Sequence, residues 1–168
     1  MANATSIFHT GLTVSSLDSA IRFYVEGLGL VLRHRQTQDN EYTCALVGYD
    51  HARLHIAQLQ FPDQPPPPSG HVIELVEYER PVGGRQLTEN CDAGAMHLAF
   101  AVDDIHEIAR RLQDMGATFL SPPVEITAGI NRGGFACYLR DPDGVTLELL
   151  QQAPPPGRTA ADAPASAP

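Results

Sequence analysis

Two histidines and two glutamates raise the first chemical question. His9 stands in "IFHTGLTV" and His97 in "MHLAFAV", each near the start of an apolar, alternating run. Glu74 stands in "VIELVE" and Glu148 in "TLELLQ", each a lone acid between apolar residues. A single histidine in such a run is an ordinary structural residue. Two in matching places, 88 positions apart in a chain of 168 residues, suggest a shared task. A charged glutamate among apolar neighbours is costly without a cation, a hydrogen-bond partner or a solvent-facing position. Glu74 keeps the last of these as an alternative. Two imidazole nitrogens and two carboxylates together suit a divalent metal ion such as Zn, Ni, Fe, Mn or Co, with positions left for water or substrate.

The strands that carry the histidines must alternate their side chains between two faces. The second run puts His97, Ala99 and Ala101 on one face and Leu98, Phe100 and Val102 on the other. The large residues suit packing on a helix, and the small ones leave a hollow beside His97. The first run repeats this, with His9, Gly11 and Thr13 opposed to Phe8, Leu12 and Val14.

The surrounding elements repeat as well. Residues 7–14 read as a strand and "SSLDSAIRFYVEGLGL" as a helix capped by Ser15 or Ser16 and ended by Gly27 and Gly29. Strands follow at about 30–36, 42–48, 52–60 and 71–78, and the proline-rich 61–70 is a loop. We read this half as βαβββ. In the second half "MHLAFAV" is a strand and "DDIHEIARRLQDMG" a helix, with Asp104 and Glu107 spaced as a capping box and Gly116 as its stop. "ATFLSPP", "GFACYLRD" and "VTLELLQ" supply three more strands, the last two joined by a tight turn at "DPDG". Val14 aligns with Val102 and Leu17 with Ile105 without a gap, so the repeat is one of organisation too. The expected division is a first module at 1–79, a linker at 80–94, a second module at 95–152 and a disordered tail at 153–168.

Composition narrows the partners. The formal net charge is −9 and the pI about 5.1, which argues against nucleic acid, since phosphate-backbone binders need basic surfaces. No apolar run approaches a membrane span. Cys44, Cys91 and Cys137 are odd in number and lack a Cys-x-x-Cys spacing, so they read as free thiols in a reducing compartment. No signal peptide is visible at the N-terminus, and the expected location is the cytoplasm.

"HTGLTVSSLDSAIRFYVEGLGL", "IELVEY", "HLAFAVDDI" and "DPDGVTLEL" together resemble the vicinal oxygen chelate superfamily. That group includes glyoxalase I, methylmalonyl-CoA epimerase, extradiol dioxygenases and antibiotic-resistance proteins, and the resemblance runs from about residue 7 to 151. It implies an α+β fold of paired βαβββ modules, the glyoxalase/bleomycin resistance/dioxygenase fold, forming a cupped mixed sheet around a metal site. It places His9, Glu74, His97 and Glu148 on the four ligand positions. It also implies a small-molecule substrate and a homodimer.

The reaction the resemblance implies is that of a metal-dependent lyase or isomerase. A substrate oxygen is chelated and a proton leaves the neighbouring carbon, with Glu148 the first candidate base and Glu74 the second. Glyoxalase I usually carries Arg where this chain has Thr13, and Asn near Tyr78, to hold glutathione. A threonine cannot supply a guanidinium fork, so a glutathione adduct is disfavoured. The alternatives are an extradiol-type ring-cleaving dioxygenase using His9, His97 and Glu148, and a non-enzymatic drug-binding protein. Four retained ligand positions argue against both. His55, Arg53, Asn131, Arg132 and Tyr42 are candidates to meet substrate, and "TAGINRGGFACY" reads as a mobile lid. His34, His51, His71 and His106 are placed in turns or on helix surfaces and carry no assigned role.

Overall fold

A computed structural model describes residues 2–64, 71–86 and 88–154. The tail beyond residue 154, and residues 65–70 of the proline-rich loop, lie outside the described residues. The chain forms two compact units. The first takes the described residues up to 86 together with Pro142–Val145; the second takes Thr88–Asp141 and the chain from Thr146.

The first unit runs β1 (Thr10–Thr13), α1 (Leu17–Leu28), β2 (Val31–Gln38), α2 (Glu41–Val47), β3 (Arg53–Gln60) and β4 (Ile73–Arg80). Its sheet has the order β1-β4-β3-β2, with β1 parallel to β4 and the other pairs antiparallel. The second runs β5 (Leu98–Ala101), α3 (Ile105–Asp114), β6 (Thr118–Phe119), β7 (Val124–Glu125), β8 (Phe135–Arg140) and β9 (Thr146–Gln151). Its order is β5-β9-β8-β6, with β7 also on β8 and β5 parallel to β9. The fold is therefore α+β, built from two mixed sheets that follow the βαβββ order, with the short β7 as an additional strand in the second.

The strand expected at 42–48 is the helix α2. Its ends show why. The Asn40 side chain accepts from the Thr43 N–H at 2.9 Å, and Gly48 closes the helix at φ 73°. A short apolar run such as "TCALV" does not distinguish strand from helix by periodicity, and the flanking cap residues decide it. With α2 set aside, three strands follow α1, as a βαβββ module requires. The pair β1 and β5 are also shorter than expected. They begin one residue after each histidine, so His9 and His97 sit at the strand entrances. Phe8, expected on the packed face, precedes β1 and is exposed.

Both helices cover one face of their sheet. Leu17, Ala20, Phe23 and Tyr24 of α1 are buried, as are Leu12, Ala57, Leu59, Ile73 and Leu75 of the strands beneath. Each fully buried large side chain contributes about 1.5–3 kcal/mol. Ile105, Ile108 and Leu112 of α3 are buried in the same way, with Phe100, Leu139, Leu147 and Leu149 in their sheet. A strand side chain pins the start of each helix. The Leu17 N–H donates to Glu77 Oε2 at 2.6 Å, and the Ile105 N–H to Gln151 Oε1 at 2.9 Å. Glu77 and Gln151 each lie three residues beyond the glutamates of interest, on the opposite sheet face.

The turn 142–145 has an anchored role in the first unit. Asp143 Oδ2 accepts from the Ser15 N–H at 3.0 Å, and Arg85 donates to the Pro142 and Asp143 carbonyls at 2.8 and 3.0 Å. At the start of β8 the packing is close enough to demand glycine. A Cβ on Gly134 would collide with the Gln151 carbonyl oxygen, whereas one on Gly84 meets nothing within 4 Å. Gly134→Ala should lower the urea unfolding free energy by about 1–3 kcal/mol. Gly84→Ala should change it by less than about 0.5 kcal/mol.

Candidate metal centre

Sheet pairing builds two matched half-sites. In the first unit Gly11 is the register partner of Glu74 on one side and Gln58 on the other. In the second unit Ala99 and Tyr138 flank Glu148 in the same way. Register partners share a face, so each glutamate projects beside a residue with little or no side chain, on the face away from the helix. His9 Nε2 lies 3.6 Å from Glu74 Oε1, and His97 Nε2 lies 3.2 Å from Glu148 Oε2. The glutamate side chains are 19% and 16% exposed, and the histidines are more open, at 35% and 48%.

Each carboxylate also has a polar cross-strand neighbour, Gln58 or Tyr138. Gln58 Nε2 donates to Glu74 Oε2 at 3.1 Å. Tyr138 stands across the ladder from Glu148, and burial, then that carboxylate's charge, pushes its phenol pKa up. The Tyr138 ring also meets His97 edge-on, with centroids 5.3 Å apart and planes at 85°. A Cβ added at Gly11 would meet no atom within 4 Å, so the space beside Glu74 is open.

The four residues therefore come together as two pairs, one per unit. Among the described residues no group of three or more His, Cys, Asp or Glu is gathered closely enough to hold a metal ion. Gln58 and Tyr138 were missed from sequence because cross-strand pairing is needed to find them. A weaker signal for Glu77 and Gln151 was present, since "ELVE" and "ELLQ" each place a long polar residue three beyond the glutamate.

The expected substrate residues are elsewhere. His55 pairs with Glu77 in register, on the helix-covered face of the first sheet and opposite to Glu74. Its Nε2 lies 2.8 Å from Glu79 Oε2, and its Nδ1 shares a hydrogen bond with Thr37 Oγ1 at 2.9 Å. Arg53 Nε reaches the same Glu79 oxygen at 3.0 Å, and its Nη1 reaches Asp39 at 3.5 Å. The His55 hydrogen bond foremost holds the Glu79 carboxyl below its usual range against the opposing effect of burial, with the Arg53 charge adding to it. His55 and Arg53 are thus occupied in a surface network. Tyr42 is exposed on α2. Asn131 and Arg132 lie in the 126–134 loop, whose base is closed by Ile126–Gly134 and Gly133–Ile126 backbone bonds of 2.8 Å each. Its tip residue, Ile130, is fully exposed. His34 stands on β2 rather than in a turn, as the register partner of Gln58 on the Glu74 face.

The sheet order, the paired modules and the two His–Glu pairs define a class. The chain belongs to the Glyoxalase/Bleomycin resistance protein/Dioxygenase superfamily, whose family model matches residues 6–149. It is 33% identical over 153 residues to a 2-epi-5-epi-valiolone epimerase from Actinomyces sp, covering 88% of this chain and 79% of that protein. It is 30% identical over 148 residues to a probable lactoylglutathione lyase from Vibrio parahaemolyticus, covering 86% and 89%. A solved glyoxalase family protein from Bacillus cereus superposes with a TM-score of 0.76 at 26% identity, over 92% of this chain and 99% of that one. Among the described residues no helix is long and apolar enough to cross a membrane.

Cys137, one residue from Tyr138, points the other way into the core and is 2% exposed. Burial pushes its thiol from an ordinary value near 9 to about 11. A folded-state pKa above the unfolded one means stability is whole below pH 9 and is lost as pH rises towards 11. At pH 8 a disulfide-exchange reagent should label exposed Cys91 at once and leave Cys137 silent until urea is added. Labelling of Cys137 in the folded state at the rate of Cys91 would contradict this placement.

Proposed function

We propose that this protein is a metal-dependent lyase or isomerase of the glyoxalase or epimerase type. It moves a proton on a carbon beside a carbonyl or hydroxyl of a small substrate. The observation that supports this most is the doubled pair, His9 with Glu74 and His97 with Glu148, each on the open face of its sheet.

The donor set suits a divalent ion. Two neutral imidazoles and two carboxylates bring four ligand atoms and two negative charges. Both carboxylates are largely covered, which favours a cation beside them. His9, Glu74, His97 and Glu148 would hold the ion. We read the protein as a cytoplasmic homodimer, with the set completed either within one chain or across two copies. When bound, the metal acts as a Lewis acid that stabilises negative charge on a chelated substrate oxygen. Glu148 is the leading base for the substrate proton and Glu74 its partner, while Gln58 holds the Glu74 carboxylate in place.

Substrate choice leans away from glutathione. Thr13 is exposed on the Glu74 face, paired with Val76, and offers a hydroxyl where a guanidinium would grip a carboxylate. Tyr78 follows on the same face. The similarity to a 2-epi-5-epi-valiolone epimerase supports an oxygen-rich carbon acid without a thiol.

Purified protein should carry about one divalent ion per full ligand set, and His97→Ala should lose it. Unchanged metal content in that variant would refute the ligand assignment. Mixing His9→Ala and His97→Ala chains should restore part of the binding if the set is shared between copies, and none if it lies within one chain. The reaction is read by solvent deuterium exchange over hydroxy-ketones, 2-oxo-aldehyde adducts and acyl thioesters. Glu148→Gln should slow exchange about 10²–10⁴-fold. Oxygen uptake with catechol cleavage, and no exchange on any carbon acid, would replace this reading with a dioxygenase.

A further inference from the structure

β2 carries a bulge that changes which of its side chains meet the Glu74 face. Leu32 is the register partner of Leu59, yet His34, two residues on, is the partner of Gln58. Arg33 is the extra residue, so Arg33 and His34 stand together across from Gln58. Without it His34 would fall opposite Ala57, on the covered face. Bulges re-aim side chains in this way. Arg33 thereby joins Gln58, Leu59, Gln60 and Val72 around a cavity of about 40 Å³. Gln60 and Val72 lie two positions along from Gln58 and Glu74, so alternation puts them on the same face. Both are buried. Gln58 belongs to the cavity and to the half-site at once, since its Nε2 donates to Glu74 Oε2 at 3.1 Å.

We propose that this cavity is a substrate subsite for one carboxylate, with Arg33 and Gln58 as its donors. This rests on the function proposed above, with the substrate on the Glu74 face. Size and charge decide the ligand. One water needs about 10–15 Å³, so the cavity has room for about three non-hydrogen atoms, as in a carboxylate. A phosphate group is larger. A guanidinium favours an anion over a neutral hydroxyl. Arg33 Nη2 donates to the Pro62 carbonyl at 2.8 Å, which anchors the group and uses one of its five N–H donors. The Gln58 amide gives one hydrogen to Glu74 and has a second. Glu74 and Val72 are two residues apart, about 7 Å in extended chain. One small molecule spans that distance, so the substrate class narrows to carbon acids that also bear a carboxylate.

The test uses full-length, metal-free protein, with acetate as the probe and inorganic phosphate and glycerol as comparisons. Arg33→Gln removes the guanidinium, and Arg33→Lys keeps the charge without the fork. Arg35→Gln is the matched change on the covered face, where Arg35 pairs with Ala57. Binding is read from the Gln58 side-chain amide NMR signals and, in wild type, the Arg33 Nε–H signal. Acetate should shift both along a saturating curve, and Arg33→Gln should weaken it about 10–100-fold. Arg33→Lys should fall between, and Arg35→Gln should stay within about twofold of wild type. Phosphate and glycerol should bind more weakly than acetate. No saturable acetate shift in wild type, or equal binding by Arg33→Gln, would overturn the proposal, as would phosphate binding tighter than acetate. In turnover, Arg33→Gln should raise KM for carboxylated hydroxy-ketones about 10-fold more than for neutral ones. An equal rise for both classes would also overturn the subsite. Absence of turnover on every ketone defeats the proposed function, whereas the acetate titration still decides the subsite. If Arg33→Gln does not fold, Arg33→Lys carries the comparison.

Discussion

The parallel pairing of the first strand of each unit with its last is the constraint on which the rest depends. It sets Gly11 beside Glu74 and Ala99 beside Glu148, although the partners are far apart in sequence. Parallel strands need a long connection, and here that connection is the whole of the unit between them. The same ladder fixes the helix. Val14 donates to Val76 at 2.9 Å and Val102 to Leu150 at 3.0 Å, where each chain leaves its sheet to start α1 or α3. The Glu77 and Gln151 caps then tie the helix start to the strand that bears the glutamate. A shift of one residue in that register would send each glutamate into the helix-covered core and its cap residue to the open side.

Because of that parity, the two faces of each sheet have separate duties. The covered face holds nearly all of the fully buried leucines and isoleucines and supplies stability. The open face carries histidine, glutamate and small residues, with Leu54 and Ile56 as its buried apolar part in the first sheet. The network of His55, Glu79 and Arg53 marks the boundary between the two. Its charges satisfy one another at the edge of the covered face, so it consumes ionisable groups that composition alone would offer to a substrate.

How much could be read beforehand follows from the same physics. The repeat, the helices with their caps, and the four histidine and glutamate positions were legible because they are local patterns or spacings. α2 was not, because seven residues with apolar content satisfy either periodicity, and Asn40 and Gly48 outweighed it. The side on which His55 falls was not, because a shift in pairing between Arg53 and Leu54 and the register against β4 decide it. Tyr138 and Gln58 were invisible for a related reason. Their importance comes from the residue across the ladder, which no window along one strand contains.

Gly11 has a consequence for how such a protein diversifies. Its backbone is ordinary extended strand, and a Cβ placed on it meets open space, so the fold does not require glycine there. The neighbouring position across the ladder is a glutamate of the open face. A side chain acquired at 11 would take volume from whatever binds beside Glu74 and leave the core untouched. Most steps towards a new substrate trade stability for novelty. At this position the trade is nearly absent, and a short series of Ala, Ser and Val replacements would act as a graded filter on ligand size.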